Sequence, residues 1–348
     1  MRRLRIAAPI VVLGLAASIG LTARAAPSVL DAGRNPEPLR GAPLRGETGL
    51  RLLVPDNPPF VLDVDTGAVI PSGLPATSRG TLRIFGVGGR AAVVVVHSRW
   101  KRADMYAVRG RDSRVSRLGV GTNVWPAADD KSVWVQSARS RSRCSLRRMG
   151  LDGEELRAPR PFPCATGSDP AAGSLGVVTR RTRVHDPETG GLVLKTRWGV
   201  LAAAGTKLVL AGPGREFTLL DGKTGAQRRL PWPSILGGRD APAVDPRGRF
   251  VALAFADPAW LLGGRQALDV WLIDTRTGEL TQLPGMPAFV SLKRTSLAWT
   301  DDGRLVLFGE DNGKDAVAVW RPGERRLALK TVQLPERYGA SDSFAILR

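Results

Sequence analysis

A five-residue phrase, D-x-x-T-G, occurs four times in this chain, at Asp63–Gly67, Asp186–Gly190, Asp221–Gly225 and Asp274–Gly278. Before several copies stands a short apolar run, such as Phe60-Val61-Leu62, Phe217-Thr218-Leu219-Leu220 or Val270-Trp271-Leu272-Ile273, and a second strand-like run follows. Asp and Thr side chains bond nearby backbone groups in turns, and Gly accepts the positive φ that a tight hairpin needs. The phrase therefore predicts the tip of an antiparallel hairpin. Three further tips fit the frame with altered letters: Gly110-Arg111-Asp112, Asp152-Gly153 and Pro322-Gly323. From Gly67 to Gly323 the seven tips span 256 residues in six intervals, about 43 residues per unit. The 40 Gly and 26 Pro of the 348 residues suit many short strands and turns, not long helices.

A second hairpin stands upstream of several tips. Ala243–Leu253 reads strand, Asp-Pro-x-Gly turn, strand; Leu297–Leu307 repeats it, and Val124–Val135 is a weaker copy. Two hairpins per unit make four strands, and a period near 40–50 residues is that of a propeller blade. The expected fold is all-β: a seven-bladed β-propeller of four-stranded blades over residues 48–348. The first unit offers only Gly49–Val54, Phe60–Asp65 and Ala68–Pro71, so it lacks an innermost strand. Ser343–Arg348 is a spare strand-like piece, expected to supply that strand and close the ring. On these motifs the chain resembles the WD40-like, TolB-type propeller repeats common among exported actinobacterial proteins. The resemblance is clearest over residues 240–332, and it implies a fold, not an activity.

Cys144 and Cys164 are the two cysteines. With Asp152-Gly153 as a tight tip, antiparallel register sets Cys144 opposite about residue 161–162, leaving Cys164 two or three residues beyond. A disulfide within the third blade is expected, as suits an oxidising compartment.

The start of the chain bears on location. Arg2, Arg3 and Arg5 precede the uncharged apolar run Ile6–Ala23, and Ala23-Arg24-Ala25 offers a small-residue cleavage site. Residues 1–25 thus read as a signal peptide or, at 18 apolar residues, an uncleaved membrane anchor. Both readings place the rest outside the cytoplasm, secreted or held on the outer face of the membrane. Residues 26–47, rich in Pro, Gly and Arg, read as a flexible linker.

The formal charge of +19 comes from 43 Arg and 8 Lys scattered through every segment. It favours anionic partners by long-range attraction, such as an envelope polymer. Nucleic acid is disfavoured, because the chain is exported and no stacking motif is interleaved with the basic residues.

Catalytic motifs are sparse. His97 ends a strand and His185 precedes an Asp-Pro turn, so neither reads as a base. No G-x-S-x-G, H-E-x-x-H, C-x-x-C or phosphate-cradling loop occurs, and no catalytic residue, metal or cofactor is assigned. Trp125, Trp134, Trp271, Trp299 and Trp320 lie in strands and are expected to pack between blades. Trp100, Trp232 and Trp260 lie in connections that propeller topology places on the face opposite the D-x-x-T-G tips. Lys101, Arg102, Arg139, Arg141, Arg239, Arg265, Lys293 and Arg294 share that face. Aromatics and Arg are enriched at binding hot spots. The leading expectation is a non-catalytic scaffold that binds a protein or an anionic envelope component through this loop face. The alternative is an extracellular propeller enzyme, a hydrolase or lyase acting on glycans or peptides.

Overall fold

The computed structural model describes residues 37–76, 81–97, 103–140, 143–166, 170–171, 173–212, 216–231, 238–239, 242–257, 265–291, 296–311, 314–335 and 344–348. Their strands form seven sheets, and the sheets are the blades of a propeller. Among the described residues no helix is long and apolar enough to cross a membrane.

The four D-x-x-T-G copies fold alike. In each, the Gly N–H donates to the Asp carbonyl oxygen at 2.7–2.8 Å. The Asp Oδ1 accepts the N–H two residues on, from Asp65 (3.1 Å), Glu188 (2.7 Å), Lys223 (2.9 Å) and Arg276 (2.9 Å). The Thr hydroxyl accepts the N–H that follows the Gly, at 3.2–3.3 Å. Gly67, Gly190, Gly225 and Gly278 all take φ between 66° and 76°, a region where a Cβ is strained. A basic side chain holds the second carboxylate oxygen in three copies: Arg51 on Asp63, Lys207 on Asp221 and Arg249 on Asp274.

Blades 2, 3 and 5 are regular four-stranded sheets. Blade 2 is Thr81–Val87, Ala91–His97, Ala103–Arg109 and Arg114–Gly121. Blade 3 is Asn123–Pro126, Ser132–Ala138, Cys144–Gly150 and Glu155–Phe162, and blade 5 is Gly199–Ala204, Lys207–Ala211, Glu216–Asp221 and Gln227–Pro231. The disulfide forms as expected. Cys144 pairs with Phe162, Cys164 lies two residues further on, and the Cα atoms are 5.1 Å apart.

Blade 4 departs from the expected four strands. It is a three-stranded sheet of Val177–Thr179, Arg183–His185 and Leu192–Lys195, with a bridge from Ala171 to Val177. Its D-x-x-T-G tip joins the last two strands, so the strand without a counterpart is the innermost. The spacing signals this, since the tip glycines around it are 37 and 35 residues apart.

Blade 6 splits at both edges. Gly238–Arg239 and Ala243–Val244 share the inner position on Phe250–Asp257, while Glu279–Gln282 and Ala288–Ser291 share the outer position on Arg265–Asp274. Pro284 and Pro287 fall in the outer gap and carry no N–H for a ladder.

Residues 37–43 do not behave as a linker. Glu37–Pro38 pairs in parallel with Ala288–Ser291 of blade 6. Gly41–Pro43 pairs in parallel with Leu327–Thr331, the outer strand of blade 7. The remaining strands of blade 7 are Ser296–Trp299, Leu305–Asp311 and Lys314–Trp320.

Blade 1 contains Arg51–Val54, Phe60–Asp63 and Val69–Pro71, and its innermost strand is Ala345–Leu347, antiparallel to Arg51–Leu53. Closure is secured by apolar packing. Leu50, Leu52, Val54, Phe60 and Leu62 form one cluster with Val306, Phe308, Val317, Val319, Phe344 and Ile346. Polar contacts add to it: Arg348 reaches Asp301 at 2.6 Å and Asp302 at 3.1 Å, and buried Arg304 bonds both Asp302 and the Thr48 carbonyl at 3.0 Å. Each blade-to-blade junction has an apolar filling, with Phe217 on Phe255 between blades 5 and 6. Trp125, Trp134, Trp271, Trp299 and Trp320 are all buried, as expected.

Two measurements check this account of closure. Deleting residues 343–348 is expected to lower the melting temperature sharply, because it removes a strand and opens blade 1; an unchanged melt overturns it. The second concerns acid. Partial burial opposes ionisation of Asp302, but the Thr300 hydroxyl, Arg304 and Arg348 outweigh it and hold the pKa at about 2. An unfolded Asp titrates near ~3.9. The folded value is the lower one, so this contribution is present above that pH and is lost as pH falls toward 2. Arg348→Ala is expected to destabilise the protein at pH 6 but to converge on the wild type in acid titrations of the melting temperature.

Candidate functional site

The strand connections give the ring two different ends. On one end lie the turns between first and second strands, together with the D-x-x-T-G tips. These inner turns touch one another. A Cβ on Gly89 of blade 2 would collide with the backbone of Thr300 and Asp301 in blade 7, and one on Gly248 of blade 6 would meet Gly205 of blade 5. Only glycine permits these approaches. Arg348 lies within this collar, donating its backbone N–H to the Arg90 carbonyl at 3.0 Å.

Between the inner strands of blades 2 and 3 lies a cavity of about 120 Å³. Arg83 and Phe85 form one wall, Thr122 to Pro126 another, and Pro170 and Ala171 the third. The Arg83 guanidinium lies over the Phe85 ring, 5.0 Å from its centroid. Solvent reaches the Arg83 side chain, yet protein surrounds enough of the guanidinium that desolvation pushes its pKa down. Arginine stays charged under such a shift, so the cavity holds a fixed cation beside apolar walls.

The second wall is held from behind. Asn123 Nδ2 donates to the Ala165 carbonyl at 2.9 Å, and Gln136 Nε2 donates to the same oxygen at 3.1 Å. The Ala165 N–H donates back to Gln136 Oε1 at 2.9 Å, and Gln136 Nε2 also reaches the Thr122 hydroxyl at 3.1 Å. Ala165 follows Cys164, whose disulfide ties it to the third strand of blade 3. The bridge thus positions the cavity wall through one carbonyl and one amide. Chemically, the cavity can bind a carboxylate or stabilise a developing oxyanion on Arg83.

Of the sequence-predicted loop-face residues, three fall among the described residues: Arg139, Arg239 and Arg265. Trp100, Lys101, Arg102, Arg141, Trp232, Trp260, Lys293 and Arg294 lie outside the described residues. Arg139 is exposed, at the turn between the second and third strands of blade 3. Arg239 and Arg265 stand at strand ends of blade 6, in register with Phe255 and Ser291. His185 is buried, its Nδ1 3.1 Å from the Gly190 carbonyl and its ring edge-on to Phe162, which fits the structural role expected of it.

Sequence reasoning missed Arg83. The signal was present: one Arg inside Thr81–Val87, an otherwise apolar or small-residue strand adjoining the ring centre.

The chain matches no protein-family model and no curated protein. It is similar to solved propeller structures over most of its length. A periplasmic gluconolactonase from Pseudomonas aeruginosa shares 14% identity at a TM-score of 0.51, with 86% of this chain and 99% of that one covered. A candidate 6-phosphogluconolactonase from Bacteroides uniformis shares 12% identity at a TM-score of 0.52, with 86% and 99% covered. A chain of the mitotic checkpoint complex shares 14% identity at 0.51, with 85% and 98% covered. At such identities the likeness is one of fold, and the TolB-type attribution goes no further than a resemblance. The expectation of a non-catalytic loop-face scaffold is nevertheless corrected. Solved propellers of this extent include ones named as lactonases, and these sit closer to the enzymatic alternative than to a scaffold.

Proposed function

We propose that the protein is an exported propeller hydrolase whose substrate presents a carbonyl or carboxylate oxygen to Arg83. The observation that carries this reading is the cation of Arg83, laid over Phe85, in a walled cavity between the inner strands. Two further facts support it. The lactonase-named structures are covered almost end to end by this chain. The disulfide suits an oxidising compartment, where an exported enzyme works.

Sugar lactones are the first substrate class to test. In such a hydrolysis water adds to the lactone carbonyl, and negative charge develops on the former carbonyl oxygen. Collapse of the tetrahedral adduct breaks the ring C–O bond, and the product is a hydroxy acid with release of one proton. A guanidinium already in place stabilises the developing charge without reorganisation. Phe85 and Trp125 give the cavity an apolar flank beside it.

The test is proton release from glucono-1,5-lactone, followed at constant pH against the spontaneous rate. Wild type is expected to exceed that rate, and Arg83→Ala to lose about 100-fold in kcat/KM, the scale of removing one oxyanion donor. Cys164→Ser is expected to lower turnover as well as stability, the latter by about 2–4 kcal/mol, because Ala165 loses its tether. No turnover of lactones, peptide esters or glycans beyond the blank overturns the reading.

A further inference from the structure

Blade 4 lacks its innermost strand and keeps its outer one, Leu192–Lys195, at the rim of the ring. Val178, Val184 and Leu194 pack on Val200, Leu208 and Leu220 of blade 5. Gln227–Pro231, the outer strand of blade 5, is left beside a cleft of about 690 Å³. Leu194, Leu210 and Leu220 form an apolar floor, and Lys195, Arg197 and Arg229 line the walls against one carboxylate, Glu216. That size lies within the range typical of ligand sites, roughly 300–1,000 Å³.

Three observations define what fits there. Among the described residues, Leu192–Lys195 is paired on one side only, with Arg183–His185, so the other edge of the strand is open. Leu192 and Val193 on that strand are 56% and 49% exposed, the most exposed large apolar side chains among the described residues. The same ring also shows how its outer edges are used, since Glu37–Pro38 and Gly41–Pro43 pair in parallel with the outer strands of blades 6 and 7.

We propose that this cleft docks an extended acidic segment of a partner polypeptide, which pairs with the open edge of Leu192–Lys195 as an added outer strand of blade 4, in the manner of Gly41–Pro43 on blade 7. Main-chain pairing supplies affinity, and the flanking pockets select alternate side chains. Because successive side chains of a strand point to opposite faces, one set meets the basic wall of Lys195, Arg197 and Arg229. Three cations against one acid favour carboxylates on that set. The proposal stands on the geometry of blades 4 and 5 and is independent of the hydrolase reading.

The test uses the full chain and a fluorescein-labelled octapeptide of alternating Glu and Val, followed by anisotropy. Saturable binding is expected, with no binding of the Lys–Val counterpart. The double variant Lys195→Glu/Arg229→Glu changes two exposed residues and is expected to melt like the wild type while binding at least about tenfold more weakly. A backbone N-methylated version of the peptide, which lacks main-chain donors, is expected to bind weakly for the same reason the native one binds. Equal binding of the methylated peptide, binding indifferent to the double variant, or no saturable binding overturns the proposal. So does capture of polygalacturonate in place of the peptide, which would assign the cleft to an acidic glycan.

Discussion

Ala345–Leu347 pairs with Arg51–Leu53 across almost the whole described chain, and that antiparallel contact turns seven sheets in series into a ring. Without it blade 1 would keep three strands and present a bare edge toward the ring centre, the hazard that closed β architectures avoid. The contact is small, but it recruits much more. Phe344 and Ile346 complete the apolar junction between blades 7 and 1, and Arg348 enters the collar of turns through Asp301 and Asp302.

Regular and irregular parts of the molecule have separate roles. The D-x-x-T-G tips are architectural: each repeats the same three hydrogen bonds, and their acids are used on backbone amides and, in three of the four, on a neighbouring cation. Chemistry gathers where the repetition fails. The cavity adjoins Pro170 and Ala171, on the approach to the blade that lacks an inner strand. The rim cleft opens beside the outer strand of the same blade.

Much of the fold was legible in the sequence because turn chemistry is local. Asp, Thr and Gly at fixed offsets need no distant partner to specify a hairpin, and so the tips, the blade number and the register of Cys144 against Phe162 could be read directly. The closing strand was legible as a leftover, Ser343–Arg348, once a vacancy had been counted in the first unit. What escaped were features created by packing between units. Residues 37–43 looked like a linker because their composition is that of one, and only the open edges of blades 6 and 7 make them strands. Arg83 gains its setting from a wall held by Ala165, in another blade and tied to it by no motif. Blade 4 lay between: the short tip spacings of 37 and 35 residues recorded its missing strand, but a count of tips alone passes over it.

The edge strands at residues 37–43 carry a consequence for the order of events during synthesis. Chain emerges from its first residue onward, yet Glu37–Pro38 and Gly41–Pro43 have partners only in blades 6 and 7, more than two hundred residues later. Blades 2 to 5 are built from hairpins and can form as they appear. The early segment must wait beside them, unpaired, until the outer strands of the last two blades exist. The last-made strand then fills blade 1 while the first-made strands cover blades 6 and 7, so the seam is sealed from inside and from outside at the same late stage. A chain halted before blade 7 is therefore an open arc with unsatisfied strands at both of its ends, a form exposed to pairing with another chain.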